Sequence, residues 1–413
     1  MQSLPSKKYP SICRNILVTA LGLIANSGFC QTAIHQSFIS NAPTDSTQIG
    51  VNMDNALEFS SKGLAIDLGQ YGEWIASAAV SGLGVTQTNV TPGYPSTTAD
   101  VANAQLLLQK NTGVAQFFMK AGLYSFPGLG TPYKRASFYT NDTYGYIPQV
   151  FAAYVPNSNW SALVGKLQAM GGYESGFTYQ NLNIARGILW AQTNVITRGI
   201  QVNHTQDKVA LSFTLNDGAY SGKYNWLGAS ASYKMNQSHQ LDISYVGSFS
   251  PNNSNTFNTP LLQNNSQIGN VVYKFSSEHW QVVPYLQYSL IPANPSIGIP
   301  VSYTTRGGAI LVHYKMRPAE MGEAKLKNIS LPVRVEYLST NGGNVAGAPI
   351  LLYGPNSSAW TFTITPTYQF EQYFMRFEAS LVKAVNATAG ASFGANGTNT
   401  SQVRGMVELG LLY

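Results

Sequence analysis

Arginine and glutamate recur as close pairs near the C-terminal end of this sequence. The members of each pair are two or four residues apart: Arg334 and Glu336, Arg376 and Glu378, Arg404 and Glu408. Even spacing puts both members on one face of a β-strand. Opposite charges that face each other across water create a transverse field, which sorts small solutes by charge and dipole. The alternative is a set of cross-strand ion pairs that stabilise a sheet face.

A second group of candidate residues lies in the long polar segment 169–196. It comprises Tyr173, Glu174, Tyr179, Asn181, Asn183 and Arg186. Connections of this length without regular structure are usually functional or disordered. The alternative is an ordinary surface loop.

Catalytic chemistry has little support in the sequence. The histidines are scattered at positions 35, 204, 239, 279 and 313, and neither Gly-x-Ser-x-Gly nor His-Glu-x-x-His occurs. We expect no enzyme activity, no organic cofactor and no metal site. Basic residues form no cluster that would bind nucleic acid.

Composition narrows the class of protein. Only 10% of the 413 residues are charged, against roughly 25% in ordinary soluble domains, while 12% are aromatic. So many aromatic residues argue against a disordered chain. The longest apolar run, residues 16–25, is about half the length of a membrane-spanning helix. A large β-barrel or β-sandwich remains.

Residues 1–30 resemble a secretory signal peptide. Lys7, Lys8 and Arg14 precede the apolar run, and small and polar residues follow it. Both cysteines, Cys13 and Cys30, lie in this stretch, so the mature chain is expected to lack disulfides and thiolate metal sites. The stretch holds three basic and no acidic residues, so its removal lowers the formal net charge from +6 to +3.

Alternation of polar and apolar residues dominates from about residue 73. In segment 360–370, Trp360, Phe362 and Phe370 share one face with other apolar residues, while threonine and glutamine fill the other. Such strands of about ten residues, with aromatic residues at both ends of the apolar face, are typical of membrane barrels. The predicted strands begin near residues 73, 102, 114, 147, 160, 197, 208, 224, 239, 267, 280, 304, 329, 358, 373 and 402.

The connections between these strands alternate between short turns and long polar loops, as in a transmembrane barrel. One connection, residues 317–328, is too long for this alternation. Pro284 and Pro366 fall inside predicted strands, where we expect bulges. Strand closure is expected to bring Glu73 of the first strand beside Arg404 and Glu408. The last strand alternates and ends on Tyr413, like the recognition signal of outer-membrane barrels.

The order of several short motifs resembles the family of putative β-barrel porins, OmpL-like, from about residue 70 to Tyr413. The similar motifs are Gly165-Lys166, Gly172-Tyr173-Glu174, Asn181-Leu-Asn183, Arg186, and residues 105–110, 114–122, 197–202 and 400–408. The resemblance implies an outer-membrane channel for small hydrophilic solutes and is compatible with a homotrimer. In sixteen-stranded porins, the loop at the position of residues 169–196 folds inward. By that analogy, Glu174 and Arg186 are constriction residues, and Tyr173 and Tyr179 are stacking surfaces for a sugar.

We therefore expect an all-β, transmembrane antiparallel barrel of about sixteen strands, with long extracellular loops and short periplasmic turns. Residues 1–30 are the signal peptide, residues 31–70 a periplasmic or luminal segment, and residues 71–413 the barrel, placed in the outer membrane of a Gram-negative bacterium. The expected function is passive diffusion of small solutes, with sugars or anions as candidates. The barrel-assembly machinery is the expected partner of the C-terminal strand. The alternative is a non-conducting adhesin or structural barrel, which needs large side chains in its lumen. The predicted inner positions are instead rich in Thr, Ser, Gly and Gln, and small polar groups favour an open, wet lumen.

Overall fold

The computed structural model describes residues 56–59, 63–316, 329–342 and 352–413. The predicted signal peptide, most of segment 31–70 and the irregular connection 317–328 lie outside these residues. None of the described helices is both long and apolar enough to cross a membrane.

The described chain consists mainly of β-strands. The strands are β1 Leu64–Asp67, β2 Glu73–Gln87, β3 Thr97–Lys110, β4 Ala115–Tyr124, β5 Gln149–Tyr154, β6 Trp160–Gln168, β7 Ile196–Gln206, β8 Val209–Asn216, β9 Trp226–Lys234, β10 His239–Ser248, β11 Gln267–Ser276, β12 Trp280–Ile291, β13 Tyr303–Lys315, β14 Ile329–Gly342, β15 Ser358–Ile364, β16 Thr367–Phe370, β17 Tyr373–Val385 and β18 Ser401–Leu412. Two short α-helices, α1 Ala136–Asp142 and α2 Leu261–Asn264, lie in connections, as do 3-10 turns at Gly69–Tyr71, Thr178–Gln180, Trp190–Gln192 and Pro295–Ile297.

The strands form one closed antiparallel sheet. Neighbours in sequence pair from β2 onward, and β18 pairs with β2, with Leu412 opposite Ala79 and Arg404 opposite Gln87. The segments β15 and β16 both pair with β14 and β17, so together they form one interrupted strand. The short β1 pairs with the start of β2. The predicted barrel of sixteen strands is confirmed. Every predicted strand start lies within two residues of the observed one except that of β3, which begins at Thr97.

Alternation along each strand separates an outer from an inner face. Trp360 and Phe362 expose 52% and 47% of their surface, whereas the alternate residues Thr361 and Thr363 are buried in the barrel. The exposed row belongs to the outward surface, which carries most of the exposed aromatic and aliphatic residues. This is the lipid-facing pattern of a membrane barrel.

The two prolines interrupt the ladder where predicted. Pro366 falls in the gap between β15 and β16. Pro284 stands where the β11–β12 pairing is interrupted, between the pairs Val272–Tyr285 and Phe275–Val282. Proline has no N–H to donate, so each occupies a place where a ladder hydrogen bond is absent.

Long and short connections alternate along the described chain. The long ones include 88–96, 125–148, 169–195, 249–266 and 386–400, and the short ones include 207–208, 235–238 and 277–279. We call the two rims the loop side and the turn side.

Two glycines let strands approach closely. Gly122 and Gly165 have φ of 138° and 148°, and a Cβ atom on either would overlap a carbonyl oxygen of the neighbouring strand.

Candidate functional site

Residues 169–195, which connect β6 to β7, fold into the barrel; we call them the inner loop. Every residue from 170 to 189 is buried. The inner loop contains only two short 3-10 turns. Since it has so little regular structure, its backbone needs hydrogen-bond partners from elsewhere. The inner faces of β14, β17 and β18 supply many of them.

Arg376 on β17 binds three carbonyl oxygens of the inner loop. Its guanidinium donates to the carbonyls of Thr178 at 3.0 Å, Asn181 at 3.0 Å and Leu182 at 2.8 Å. It also forms an ion pair with Glu408 of β18, at 3.4 Å. The planar guanidinium has five donors, and so it can serve several acceptors at once. Arg376 therefore fixes the middle of the inner loop.

Two carboxylates on the wall bind the following stretch of the inner loop. Glu378 accepts hydrogen bonds from the amides of Ile184 at 2.6 Å and Ala185 at 3.2 Å. Glu336 on β14 accepts from the amides of Ile188 and Leu189, at 3.2 and 3.4 Å. Hydrogen bonds to a charged acceptor are among the stronger ones in proteins.

An ion pair joins the inner loop to the wall directly. Arg334 on β14 donates to Glu174 of the inner loop and, at 2.9 Å, to the carbonyl of Ala185. The amide of Gly187 donates to the other oxygen of Glu174, at 2.7 Å. Burial raises the pKa of Glu174 to about 7, and the Arg334 guanidinium opposes that shift.

Arg186 contacts the neighbouring connection 125–148. Its guanidinium donates to the carbonyls of Ile184 and Ser125, and it lies 5.2 Å from the ring centroid of Trp190. Burial lowers its pKa to about 10. The backbone of Arg186 also bonds to Pro127 and Leu129, so it ties the inner loop to connection 125–148.

The other predicted residues of the inner loop hold its shape or touch the wall. Asn181 bonds to the backbone of Ser175 and Phe177, whereas Asn183 donates to Thr365 at 2.7 Å. The Tyr179 hydroxyl donates to Gln105 of β3 at 3.1 Å, and the ring of Tyr173 lies 5.7 Å from that of Tyr285. All four side chains are buried.

Glu408 and Arg404 of β18 serve different loops. Glu408 accepts from Thr178 of the inner loop at 2.6 Å and from Ser81 of β2 at 2.9 Å. Arg404 donates to the carbonyls of Gly128 and Thr131, both at 2.7 Å, and so it holds connection 125–148.

The predicted proximity of Glu73 to these two residues is wrong. Register places Glu408 opposite Leu83 and Arg404 opposite Gln87, while Glu73 is exposed at the far end of β2, opposite Asp67. Strands β2 and β18 are staggered where they pair to close the barrel. Alternation along a single strand does not predict the register between two strands. A role for Glu73 in the pore wall remains a prediction, as do the selectivity roles of the other predicted residues.

The inner wall of β11 to β14 also carries large apolar side chains. Here Val272, Val283, Tyr285, Leu311 and Leu338 are buried in one cluster. The cluster also contains residues of the inner loop, namely Tyr173, Leu182, Ile184, Ala185, Ile188 and Leu189. Burial of these apolar side chains thus stabilises the inner loop in addition to its hydrogen bonds, by about 25 cal/mol per Å² of apolar surface removed from water.

Sequence reasoning missed Lys120, a cation on the inner face of β4. It is fully buried, and its ammonium lies 3.7 Å from the ring centroid of Phe177 in the inner loop. Lys120 follows Gln116 and Phe118 at every second position of β4, and this alternation would have predicted that its side chain points into the barrel.

Residues 56–59, part of the segment left open as periplasmic or luminal, pack inside the turn-side end of the barrel. Leu57 is 1% exposed, and the ring of Phe59 lies 6.2 Å from that of Tyr179. The amide of Glu58 donates to Gln369 near the β16–β17 turn at 2.9 Å, and Gln369 donates back to the carbonyl of Glu58. This stretch therefore lies between the inner loop and the turn-side rim.

Replacing Phe59 by alanine is expected to widen the turn-side entrance. Loss of a buried phenylalanine costs about 3–5 kcal/mol where the site cannot collapse, which would release the segment from Tyr179. Single-channel conductance in a planar bilayer should rise. Phe249→Ala, at a ring that is 58% exposed, is the matched control. Equal conductance for both variants would show that the segment does not obstruct flow.

The described residues contain no group of three or more His, Cys, Asp or Glu side chains placed to hold a metal ion. Arg334, Glu336, Arg376, Glu378 and Arg404 bind loop backbone. The arrangement supports a fixed obstruction in a barrel lumen.

A model of the family "Putative beta-barrel porin-2, OmpL-like" matches residues 76–413 of this sequence. Among curated proteins, none matches it significantly.

Several solved porin structures share the fold. The anion-selective porin from Comamonas acidovorans is 9% identical with a TM-score of 0.54, over 82% of this chain and 99% of that one. The outer membrane channel DcaP of Acinetobacter baumannii is 12% identical with a TM-score of 0.53, over 86% and 100%. OmpT, an outer membrane protein of Vibrio cholerae, is 9% identical with a TM-score of 0.52, over 83% and 97%. At such identities the likeness concerns the fold alone.

Proposed function

Because this chain belongs to the putative beta-barrel porin-2, OmpL-like family, and is thus an outer-membrane porin for passive diffusion, we propose that its inner loop is the constriction of the channel. The observation that carries this is the set of bonds from Arg334, Glu336, Arg376 and Glu378 to the inner loop. A segment held from two wall strands stays across the lumen as solutes pass. The residues predicted at the narrowing, Glu174 and Arg186 among them, then act mainly by fixing its position.

We place the solute route along the inner face of β7 to β10. Most inward residues of these strands are small and polar, among them Asn203, Ser212, Ser230, Ser232 and Ser244. The apolar inward residues Trp226 and Val246 lie at the loop-side ends of β9 and β10. Hydroxyl and amide groups can replace part of the hydration shell of a small solute, and apolar walls cannot. The apolar inner wall of β11 to β14 is instead covered by the inner loop.

The remaining features of this proposal rest on sequence. Residues 1–30 direct export, residues 31–70 form a periplasmic or luminal segment, and the long loops face the cell exterior. The C-terminal strand, whose Tyr413 pairs with Ala78 of β2, is the signal read by the assembly machinery. The functional unit is a homotrimer, and the protein performs no catalysis.

The test is conductance of the purified, detergent-folded protein in a planar bilayer. We expect stepwise openings, grouped in threes for a trimer, and a larger step when residues 175–186 are replaced by a Gly/Ser linker. Removing an obstruction widens the water path, so conductance must increase. The control is the same replacement of residues 253–258, in another long connection. A linker variant with unchanged conductance would contradict the assignment of the inner loop as constriction.

One observation favours a second candidate, a closed barrel that displays its loops as an adhesin. Buried aromatic and aliphatic side chains of the inner loop pack against inner-wall residues on both sides of the lumen, in two clusters. The bilayer experiment separates the two candidates. A folded, heat-modifiable protein that never conducts, with or without the linker, would support the display barrel.

A further inference from the structure

Three lysines lie near one another at the turn side of the barrel. Lys234 on β9 is opposite Gln240 on β10, which is opposite Lys274 on β11. The backbone amide of Lys234 donates to the carbonyl of Lys208, which lies just before β8, at 2.9 Å. Lys234 and Lys274 have the parity of the buried inward residues of their own strands, Ser232 and Val272, so both project into the lumen. Lys208 lies in the turn before β8 and lines the same cavity. We call them the lysine row.

The lysine row borders a cavity of about 510 Å³. The rest of its lining is almost wholly polar and comprises Asp207, Asn236, Gln237, Ser238, His239, Gln240 and Ser276. This volume falls within the range of sites for small molecules, roughly 300–1,000 Å³. The cavity lies at the turn-side end of the polar wall along which we place the solute route.

The charges around this cavity are unequal. Asp242, fully buried one position deeper, accepts from Gln240 at 2.7 Å and lies 3.6 Å from the ammonium of Lys274, which it partly neutralises. Asp207 is the single carboxylate among the lining residues, whereas the lining contains three ammonium groups. Lys208 donates to the carbonyl of Met235 at 3.1 Å, a neutral acceptor that leaves its charge in place.

Positive groups held together in a recess attract counter-ions, because the surrounding low-dielectric wall screens them less than bulk water does. Lys208 and Lys234 are exposed to the cavity. Hydrogen bonds in which the donor or the acceptor is ionised are stronger than those between neutral groups. An oxyanion could accept from both ammonium groups and from the serine and glutamine side chains. A neutral sugar would gain none of this electrostatic attraction to the lysines.

We propose that this cavity is a binding subsite for small oxyanions, meaning solutes with a phosphate or carboxylate group, at the turn-side end of the channel. The proposal rests on the proposed channel function for its role in transport. As a binding site it stands on the lysine row and the cavity.

Titration of inorganic phosphate into the detergent-folded, full-length protein tests the site by calorimetry. For the double substitution Lys208→Gln and Lys234→Gln, we expect affinity to fall about tenfold or more, as the loss of charged hydrogen bonds implies. Lys383→Gln is the matched control: this lysine is exposed on β17 and bonds to Thr400. Heat-modifiability on gels confirms that each variant is folded.

The same proteins in a bilayer separate this inference from the channel function. Phosphate should reduce the current through the protein and the control, and it should do so only weakly for the double variant. Equal phosphate affinity in all three proteins would overturn the subsite, whether or not they conduct. Phosphate binding that depends on the lysine row, in a protein that never conducts, would support the subsite and overturn the channel.

Discussion

Replacing Arg376 by alanine is expected to detach the inner loop and to enlarge the channel. The change removes the donors to the carbonyls of Thr178, Asn181 and Leu182 and leaves Glu408 without its ion-pair partner. Loss of one partner from a buried charge pair costs about 3–5 kcal/mol. The barrel itself should persist, because the ladder of β17 is made by backbone groups.

The measurement is single-channel conductance and its noise. Arg376→Ala should give larger and noisier openings, since a released loop samples several positions. Arg376→Lys should be intermediate, because an ammonium group lacks the planar fork that reaches three carbonyls at once. The control is Arg306→Ala, an exposed arginine on β13. Conductance that is unaltered by Arg376→Ala would mean that the inner loop is held without this residue.

Replacing Gly187 by alanine is expected to displace the C-terminal half of the inner loop. A Cβ atom at position 187 would overlap the carboxylate of Glu336. Either the loop or Glu336 must move, which breaks the hydrogen bonds of Glu336 with the amides of Ile188 and Leu189. A single methyl group should therefore change both the conductance and the ion selectivity, because it moves a carboxylate.

The reversal potential in a salt gradient measures this selectivity. Gly84→Ala is the matched control, because a Cβ atom on Gly84 in β2 would meet nothing within 4 Å. The double variant with Glu336→Ala removes the overlap and should leave only the effect of the lost carboxylate. If Gly187→Ala and Gly84→Ala share one reversal potential, the contact between Gly187 and Glu336 has no role in permeation.

The sequence predicted the barrel well because the relevant signals are local. Alternation over ten residues defines a strand and its inner face, so the inward parity of Arg334, Arg376 and Glu408 was correct. Proline positions likewise marked the interruptions in β12 and between β15 and β16. The start of β3 was misplaced because residues 97–101 are mainly small or polar and give little alternation signal.

The surroundings of the site were harder to predict than its members. Arg376 and Thr178 are 198 residues apart in the sequence. The local alternation pattern predicts that Arg376 points into the barrel, but it does not predict that a loop occupies the lumen there. For this reason the charged pairs were expected to face water, whereas the inner loop covers them. The stagger between β2 and β18, which separates Glu73 from Glu408, is also a property of the closed sheet.

The way in which the wall holds the inner loop has a consequence for evolutionary change. Arg376 and Glu378 bind main-chain carbonyls and amides, as Glu336 does, and those groups are present whatever the side chain. Many side chains of the inner loop can therefore be substituted while the loop keeps its position. Residues such as Glu174, which pairs with Arg334, and Gly187, which has no room for a Cβ atom, must be kept. A barrel of this kind can acquire a new solute preference through substitutions in one segment, while its scaffold remains the same.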